Sequence, residues 1–430
     1  MFSSKTLHLA KIIITNDKEP IFNGGLLVEN KKIKCVGKKE DFGSLENYEV
    51  FNHGDSLICP GFINLHTHLA YSNIKKLNGE NGLFPWLEEL ISKTATWTEK
   101  DFYKSTKAGI EEALSTGTTF IVENTPSEAA IKAILESPLG GLIGIEVFGS
   151  DENEAENIFQ KALEQINSRN NRIDFTFSPH APYDVSKPLW KELINWSNEN
   201  KKILLTHLEE SPDEKLWWQN KSGNGPSFWK KINKLESKLK YWKKYFSGID
   251  FLNQNNFLSD NIVAAHLCQA TNDELKVLKE KAVKLVHCPR SNYYLNNGLA
   301  NLKAWEENGF LWGLGTDSTA SNDNLDLLEE LRFTLNLQKI KYNYKLSPNE
   351  AFKAITLNAA KVIKKDHELS CLKSSYNADF LVYSLEDISE NTCKDPYNLI
   401  VFNLNNKKNL NETWINGEKA WIKTRILNKI

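Results

Sequence analysis

The 430-residue chain lacks an apolar run of roughly 18 residues, the length of a membrane span, and it shows no signal-peptide pattern at its N-terminus. Its six cysteines are scattered and form no C-x-x-C pair, which argues against a zinc ribbon or a dithiol redox site. A surplus of charge is also missing. With 53 basic and 55 acidic side chains, the net charge of −2 gives no reason to expect nucleic acid or a membrane as partner. We expect a cytoplasmic protein with reduced thiols and a small-molecule substrate.

The composition is that of a folded protein of ordinary type. Apolar residues make up 40% of the chain and charged residues 25%, values close to those of an average soluble domain. A chain of 430 residues is longer than one hydrophobic core usually supports, so roughly two to three domains are expected.

The pattern of the chain changes near Pro60 and again near residue 370. Short β-type runs separated by Asn, Asp, Gly and Lys occupy both ends and are typical of small antiparallel strands. An Asn416-Gly417 pair marks a turn near the C-terminus. We predict that residues 1–58 and 369–430 are the two parts of one small β-sandwich domain, and that residues 59–368 form a separate barrel.

Eight β-type runs lie in the central segment, and most are followed by enough residues for a helix. They are residues 62–65, 118–122, 142–148, 173–177, 203–206, 262–265, 283–286 and 311–316. This alternation predicts βαβ units and a parallel sheet. The fold class that follows is α/β, a (β/α)₈ TIM-type barrel, whose strands carry the chemistry at their carboxyl ends.

The connection between the fifth and sixth runs, residues 211–260, is unusually long. Two interpretations stay open for it: a pair of packed surface helices, or a lid over the substrate. Aromatic residues at helical spacing are usually buried, which favours the helices. The aromatic residues concerned are Trp217, Trp218, Phe228, Trp229 and Trp242.

Histidines and one aspartate close most of the eight runs. His66 and His68 are two positions apart, so in an extended strand they face the same side. His207 offers a third nitrogen and Asp317 an oxygen, which would leave an open position for water, as in catalytic zinc sites. Coordination lowers the pKa of such a water toward roughly 7. The sequence therefore predicts a catalytic metal centre.

Proton transfer needs a further group near this centre. Glu210 follows His207 by three residues and is a candidate proton shuttle, for which Glu209 competes on sequence alone. An ordinary solvated pair of glutamates is the alternative for both. His266 is a candidate for orienting the water, and a hydrogen-bonded core histidine is its alternative.

Five motifs together resemble one known superfamily. They are PGFINLHTHL at 60–69, SPHAPY at 178–183, THLEES at 206–211, HCPRSN at 287–292 and GTDSTASN at 315–322. The chain is similar over nearly its whole length to the amidohydrolase superfamily, in the branch of deaminases and chlorohydrolase-like enzymes that act on ring amines.

The resemblance implies one divalent metal ion held by His66, His68, His207 and Asp317. Zinc is the expected metal, and iron is the alternative. Asp317 would also take a proton from the attacking water. Glu210 would protonate the ring nitrogen and the leaving amine, and His266 would position the hydroxide. Branches that bridge two metals use a carboxylated lysine on the fourth strand. Residues 173–179 contain no Lys, so one metal is expected.

Within that branch the chain resembles the aminodeoxyfutalosine and adenosine-derivative deaminases. Two departures affect this resemblance: Ala70 stands where the futalosine enzymes often have Glu, and Asn377-Ala378-Asp379 lacks the usual preceding Gly and Lys. For Glu89 and its neighbour Glu88, the alternative is a place on the exposed face of a helix. For Arg290 and Asn292, the alternative is a structural role in a loop. The residues implied to contact substrate are His180, Trp86, Glu89, Arg290 and Asn292.

Three functions are therefore compared. The first is hydrolytic deamination of an adenine-bearing nucleoside, such as aminodeoxyfutalosine or a 5′-substituted adenosine. The second is a chlorohydrolase-like or other C–N hydrolase for a guanine, pyrimidine or triazine ring. The third is a metal-dependent binding protein without catalysis, which the presence of Glu210 disfavours. A homodimer is the expected assembly, since dimers are the commonest oligomers of such enzymes.

Overall fold

The structure is a computed structural model that describes residues 5–166, 172–220, 223–225, 228 and 244–423. Its strands fall into three groups along the chain. The first group is β1 Lys5–Ile13, β2 Ile21–Glu29, β3 Lys32–Lys38, β4 Glu49–Asn52 and β5 Ser56–Pro60. The second is β6 Phe62–Thr67, β7 Thr118–Thr125, β8 Gly140–Val147, β9 Ile173–Pro179, β10 Leu204–Leu208, β11 Ile262–His266, β12 Lys284–His287 and β13 Trp312–Leu314. The third is β14 Phe380–Ser384, β15 Leu410–Ile415 and β16 Glu418–Ile422.

Both ends of the chain build one sheet. Its order is β16-β15-β14-β5-β1-β2-β3, with β4 paired to β1. The antiparallel pairing of β14 with β5 joins the C-terminal part to the N-terminal part. Asn416 and Gly417 both have positive φ angles, 53° and 70°, so they make the tight turn between β15 and β16 that the sequence predicts.

The second group of strands forms two parallel four-stranded sheets, β6-β7-β8-β9 and β10-β11-β12-β13. A backbone hydrogen bond links the sheets at each of their two seams. The amide of His207 donates to the carbonyl of His180 over 2.8 Å, and the amide of Asp317 donates to the carbonyl of His66 over 2.9 Å. All eight strands predicted for the barrel are present, and the (β/α)₈ fold class with a small β-domain from both termini is confirmed.

Helices cover the outer face of these strands. Because the strands are then buried on both faces, they read as nearly continuous apolar runs, which made them detectable in the sequence. The helices from the barrel region are Leu83–Thr94, Glu99–Ser115, Glu128–Leu135, Ala155–Gln165, Lys187–Asn200, Pro212–Asn220, Gly248–Gln254, Asn272–Glu280, Pro289–Tyr294, Leu302–Glu307, Leu327–Tyr342, Pro348–Lys353 and Leu357–Val362. Short helices Pro396–Asn398, Leu399–Asn403 and Asn406–Asn409 follow.

The described part of the long connection packs into the core. Trp217 and Trp218 are both 1% exposed, and their rings lie 4.7 Å apart in an edge-on arrangement. Phe228 is also buried. This agrees with packed helices for these residues. Trp229 and Trp242, together with any lid they might form, lie outside the described residues.

One glycine fixes the seam beside the predicted metal site. A Cβ atom on Gly315 would lie 2.5 Å from the Cβ of His66 and 2.8 Å from its backbone nitrogen. Any larger residue would therefore push the two chain segments apart. The limits predicted for the domains, 1–58, 59–368 and 369–430, stay a prediction. Among the described helices, none has the length and apolar character needed to cross a membrane.

Candidate metal centre and active site

The four predicted metal ligands come together at the carboxyl ends of the barrel strands. His66 and His68 lie at the end of β6, His207 in β10, and Asp317 just after β13. The carboxylate Oδ1 of Asp317 lies 3.9 Å from Nε2 of His66 and 3.7 Å from Nε2 of His68. The Nε2 atoms of His68 and His207 are 3.3 Å apart. All four residues are at least nine-tenths buried.

Hydrogen bonds to the backbone fix the protonation of two of these rings. Nδ1 of His68 lies 3.0 Å from the carbonyl of Asn124, and Nδ1 of His207 lies 2.8 Å from the carbonyl of His180. A carbonyl only accepts, so both Nδ1 atoms carry the proton and both Nε2 atoms face each other with lone pairs. Burial also lowers the pKa of His207 well below its usual value, which keeps the ring neutral.

Two facing lone pairs and a buried carboxylate need a cation between them. Nε2 of His66 is a third buried ring nitrogen at this place, and it has no hydrogen-bond partner in the part of the chain that the structure describes. Nδ1 of His66 lies 3.1 Å from Nδ2 of Asn124. Imidazoles that give one N–H to a carbonyl and turn the other nitrogen inward are typical of metal ligands. The donor set therefore fits a divalent metal ion held by His66, His68, His207 and Asp317.

Asp317 is held as a carboxylate by its surroundings. Its Oδ2 accepts from the hydroxyl of Ser291 over 2.6 Å, and its Oδ1 accepts from the amide of Ser318 over 2.8 Å. Burial alone would raise its pKa, but the neighbouring rings of His66 and His68 outweigh that effect, and the pKa is lowered to about 2. Asp317 also has a φ angle of 60°, a strained backbone conformation of the kind found at functional sites.

Glu210 is buried beside the ligands, and its pKa is shifted in the opposite direction to that of Asp317. Burial and the nearby charge of Asp317 raise its pKa to about 8, so it holds a proton near neutral pH. Its Oε1 accepts from Nδ2 of Asn297 over 3.0 Å. Its backbone amide donates to Glu214 over 2.7 Å, which fixes the chain at this point. Glu209 faces away from the centre, since its Oε1 accepts from the amide of Gly248 over 2.8 Å.

His266 completes the group at the end of β11. Its Nδ1 lies 2.8 Å from Oδ1 of Asn292, an acceptor, so the Nδ1 atom carries the proton. Its Nε2 lies 3.8 Å from Oε2 of Glu210. The φ angle of His266 is 77°, so the backbone is strained at this residue as it is at Asp317.

A cavity of about 450 Å³ opens onto these residues. His180 lines it beside the metal ligands, and its Nδ1 lies 2.5 Å from the carboxylate of Asp184. Burial would lower the pKa of His180, but the Asp184 carboxylate outweighs burial and raises the pKa to about 9. The ring therefore presents a charged N–H near the cavity. Apolar side chains form part of the wall, namely Leu83, Trp86, Leu87, Leu90, Ile91, Phe148, Ile158, Phe228 and Leu295.

The structure brings only part of the predicted substrate set to this cavity. His180 and Trp86 line it, and the indole nitrogen of Trp86 donates to the carbonyl of Ala320 over 3.0 Å. Glu89 instead pairs with Lys93 at 3.5 Å on a partly exposed helix face. Asn292 stands behind His266 as its hydrogen-bond partner.

Arg290 is also held away from the cavity. Its guanidinium lies 3.1 Å from Asp323, 3.2 Å from Glu329 and 3.6 Å from Glu330. These contacts fit the structural role that the sequence left open for this residue.

Sequence reasoning missed two residues at the site. Asn297 comes from the segment after helix Pro289–Tyr294 and contacts Glu210. No local pattern marks it, because the two residues are 87 positions apart. Glu146 lies near the end of β8 and lines the cavity. A signal for Glu146 existed, since it is the only charged residue in an otherwise apolar run at 142–148.

The fold and the site together define a metal-dependent hydrolase built on a (β/α)₈ barrel. The model of the Amidohydrolase family matches residues 57–420, and the chain belongs to that family. It is an amidohydrolase-type enzyme with a divalent metal centre and a small-molecule substrate.

Several curated relatives align over most of the chain. A 5-methylthioadenosine/S-adenosylhomocysteine deaminase from Caldicellulosiruptor saccharolyticus is 27% identical over 97% of this chain and 93% of its own length. A 5′-deoxyadenosine deaminase from Methanocaldococcus jannaschii is 30% identical over 88% of this chain and 86% of its own. A crystal structure of an adenosine deaminase from Xanthomonas campestris with bound zinc shares the fold. Its TM-score is 0.80 at 19% identity, with 97% of this chain and 92% of that chain covered.

Proposed function

We propose that this protein hydrolytically deaminates the adenine ring of a 5′-substituted adenosine or a related nucleoside such as aminodeoxyfutalosine, and releases ammonia. The observation that carries the proposal is that two carboxyl groups beside the candidate metal ligands have pKa values shifted in opposite directions. Asp317 is a carboxylate with a pKa of about 2, and Glu210 is protonated with a pKa of about 8. The names of the relatives support an adenosine derivative as substrate.

The metal centre supplies one element of the chemistry. A divalent ion, for which we favour zinc over iron, would act as a Lewis acid and would lower the pKa of a water molecule, so that hydroxide would be available at neutral pH. His66, His68, His207 and Asp317 would hold it. The residues named in the following paragraph carry out the remaining steps.

Asp317, Glu210 and His266 each have a part in the deamination. Asp317 accepts a proton from the water that attacks the amidine carbon of the ring. Glu210 donates its proton to the ring nitrogen and becomes a carboxylate. It then takes up the hydroxyl proton of the tetrahedral carbon and passes it to the amine, which leaves as ammonia when that carbon collapses. The proton held by Asp317 returns to Glu210 and restores the starting state. His266 accepts a hydrogen bond at Nε2 and so orients the attacking water, while its Nδ1–H remains bound to Asn292.

The remaining cavity residues position the nucleoside. His180 presents an N–H that can donate to a ring nitrogen or to the ribose, because its other nitrogen is occupied by Asp184. The apolar wall that includes Trp86, Leu87 and Phe148 covers the purine and excludes bulk water.

Two further expectations belong to this proposal, a homodimeric assembly and a location in the cytoplasm. The dimer is expected because dimers are the commonest oligomers of such enzymes. The function itself is tested by following the ultraviolet absorbance of 5′-deoxyadenosine and methylthioadenosine with metal-loaded protein. Conversion of the aminopurine to the oxopurine supports the proposal, and unchanged spectra for every adenine nucleoside contradict it.

A further inference from the structure

Glu146 is a buried carboxylate that the mechanism above does not use. It is 7% exposed and lines the cavity at the end of β8. One of its oxygens and one ring nitrogen each from His68 and His207 all lie within 4.8 Å of one another. Within the described ranges, no hydrogen bond or ion pair joins its carboxylate to another side chain or to the backbone. The carboxylate of Glu146 is one of the charges that raise the pKa of His180, but no hydrogen bond joins the two side chains. A buried charge at this position still calls for a direct partner.

The two nearest ligands do not provide a proton to Glu146. His68 and His207 each have their Nδ1–H bonded to a backbone carbonyl, at 3.0 and 2.8 Å, so their inward nitrogens are lone pairs. Lone pairs and a carboxylate repel one another. A cation placed among the three groups turns this repulsion into an attraction.

Other buried glutamates at this site are satisfied by the protein itself. Glu123 accepts from the hydroxyl of Thr67 over 2.6 Å and from the amide of Leu69 over 2.8 Å. Glu210 accepts from Asn297 over 3.0 Å. Glu146 differs from both in facing the ligands without any such donor in the described chain.

We infer that Glu146 is an additional carboxylate ligand of the divalent metal centre, on the side formed by His68 and His207. The inference rests on the proposed metal centre and extends its ligand set to three imidazoles and two carboxylates. A second ion is disfavoured, because His68 and His207 each have a single free ring nitrogen and would have to give it to two metals. An added oxygen ligand suits an ion that accepts five protein or water ligands.

The test compares the wild type with Glu146→Gln, which keeps the size of the side chain and removes its charge. Metal content after dialysis, zinc affinity in competition with a chelator, and the visible spectrum of the cobalt-loaded protein are measured. Glu154→Gln is the matched control, because Glu154 lines the same cavity but is exposed and lies on its rim. Circular dichroism verifies that each variant is folded.

The inference predicts that the wild type binds one ion per chain. It also predicts that Glu146→Gln weakens zinc binding by at least about tenfold and changes the spectrum of the cobalt-loaded protein. Glu154→Gln should match the wild type in all three measurements. A folded Glu146→Gln protein with wild-type zinc affinity and an unchanged cobalt spectrum would overturn the inference, and a raised KM alone would then assign Glu146 to the substrate. Since metal binding is read directly, this result is independent of whether the protein proves to be a deaminase.

Discussion

Asn297 donates a hydrogen bond from Nδ2 to Oε1 of Glu210 over 3.0 Å, although the two residues are 87 positions apart. A donor to a carboxylate favours the charged form, so Asn297 lowers the pKa of Glu210, while burial raises it overall to about 8. Replacement of Asn297 by Leu removes the donor and should raise that pKa further. The limb of the pH–rate profile that reports Glu210 should move to higher pH.

The measurement is kcat/KM as a function of pH for Asn297→Leu, with the exposed Asn200→Ala as control. A purely structural role of Asn297 would lower activity at every pH alike. An unshifted profile would therefore show that Asn297 does not tune Glu210.

Glu210→Gln tests the proton donor directly. Gln keeps the hydrogen bond with Asn297 but cannot give a proton to the ring nitrogen. We expect kcat to fall by about 10² to 10⁴-fold, the usual contribution of a general acid, with little change in KM. Metal analysis should find the wild-type amount of bound ion. A variant with near-normal kcat would remove Glu210 from the mechanism.

Removal of the metal should weaken the fold. His66, His68, His207 and Asp317 would then be left as buried groups facing one another, and a bound ion stabilises a fold by about 2.7 kcal/mol when its concentration is one hundred times Kd. Zinc should raise the Tm of chelator-treated wild type. It should leave the Tm of His207→Ala unchanged, whereas the exposed control His367→Ala should respond like the wild type. Equal responses of the two variants would contradict the ligand role of His207.

His8 makes the terminal sheet sensitive to acid. Burial, followed by the nearby His53, lowers its pKa from 6.5 to about 3, and its ring stacks on Phe51 at 5.0 Å. The unfolded chain takes up a proton below about pH 6.5 while the folded one does not. The stability that neutral His8 provides is therefore complete above pH 6.5 and is lost as the pH falls toward 3.

Urea unfolding at about pH 7 and about pH 5 measures this effect. The wild type should lose stability between the two values, and His8→Phe, which keeps the aromatic packing, should lose less. An equal loss in both proteins would show that other groups carry the acid sensitivity.

The barrel could be predicted from the sequence because its strands are buried on both faces and therefore form apolar runs. His66, His68, His207 and Asp317 could be named for a related reason. Each follows or ends such a run, and parallel strands place their carboxyl ends on the same side of the sheet.

Contacts between distant segments could not be predicted in the same way. Asn297 reaches Glu210 from a loop with no periodic pattern. Arg290 was open to two interpretations because its partners, Asp323, Glu329 and Glu330, are brought to it only by the fold. Glu89 lies on a helix whose orientation toward the cavity cannot be derived from the spacing of its residues.

Ammonia release by zinc-loaded protein tests the central claim most directly. The panel contains 5′-deoxyadenosine, methylthioadenosine, S-adenosylhomocysteine, adenosine and aminodeoxyfutalosine, with guanine, cytosine and a chlorinated triazine for the alternative hydrolase. His207→Ala serves as the inactive control. We expect ammonia from at least one adenine nucleoside, in equal amount to the oxopurine formed, and none from His207→Ala. If folded, zinc-filled protein releases no ammonia from any adenine nucleoside but acts on guanine, cytosine or the triazine, the proposed deamination of an adenine ring is wrong.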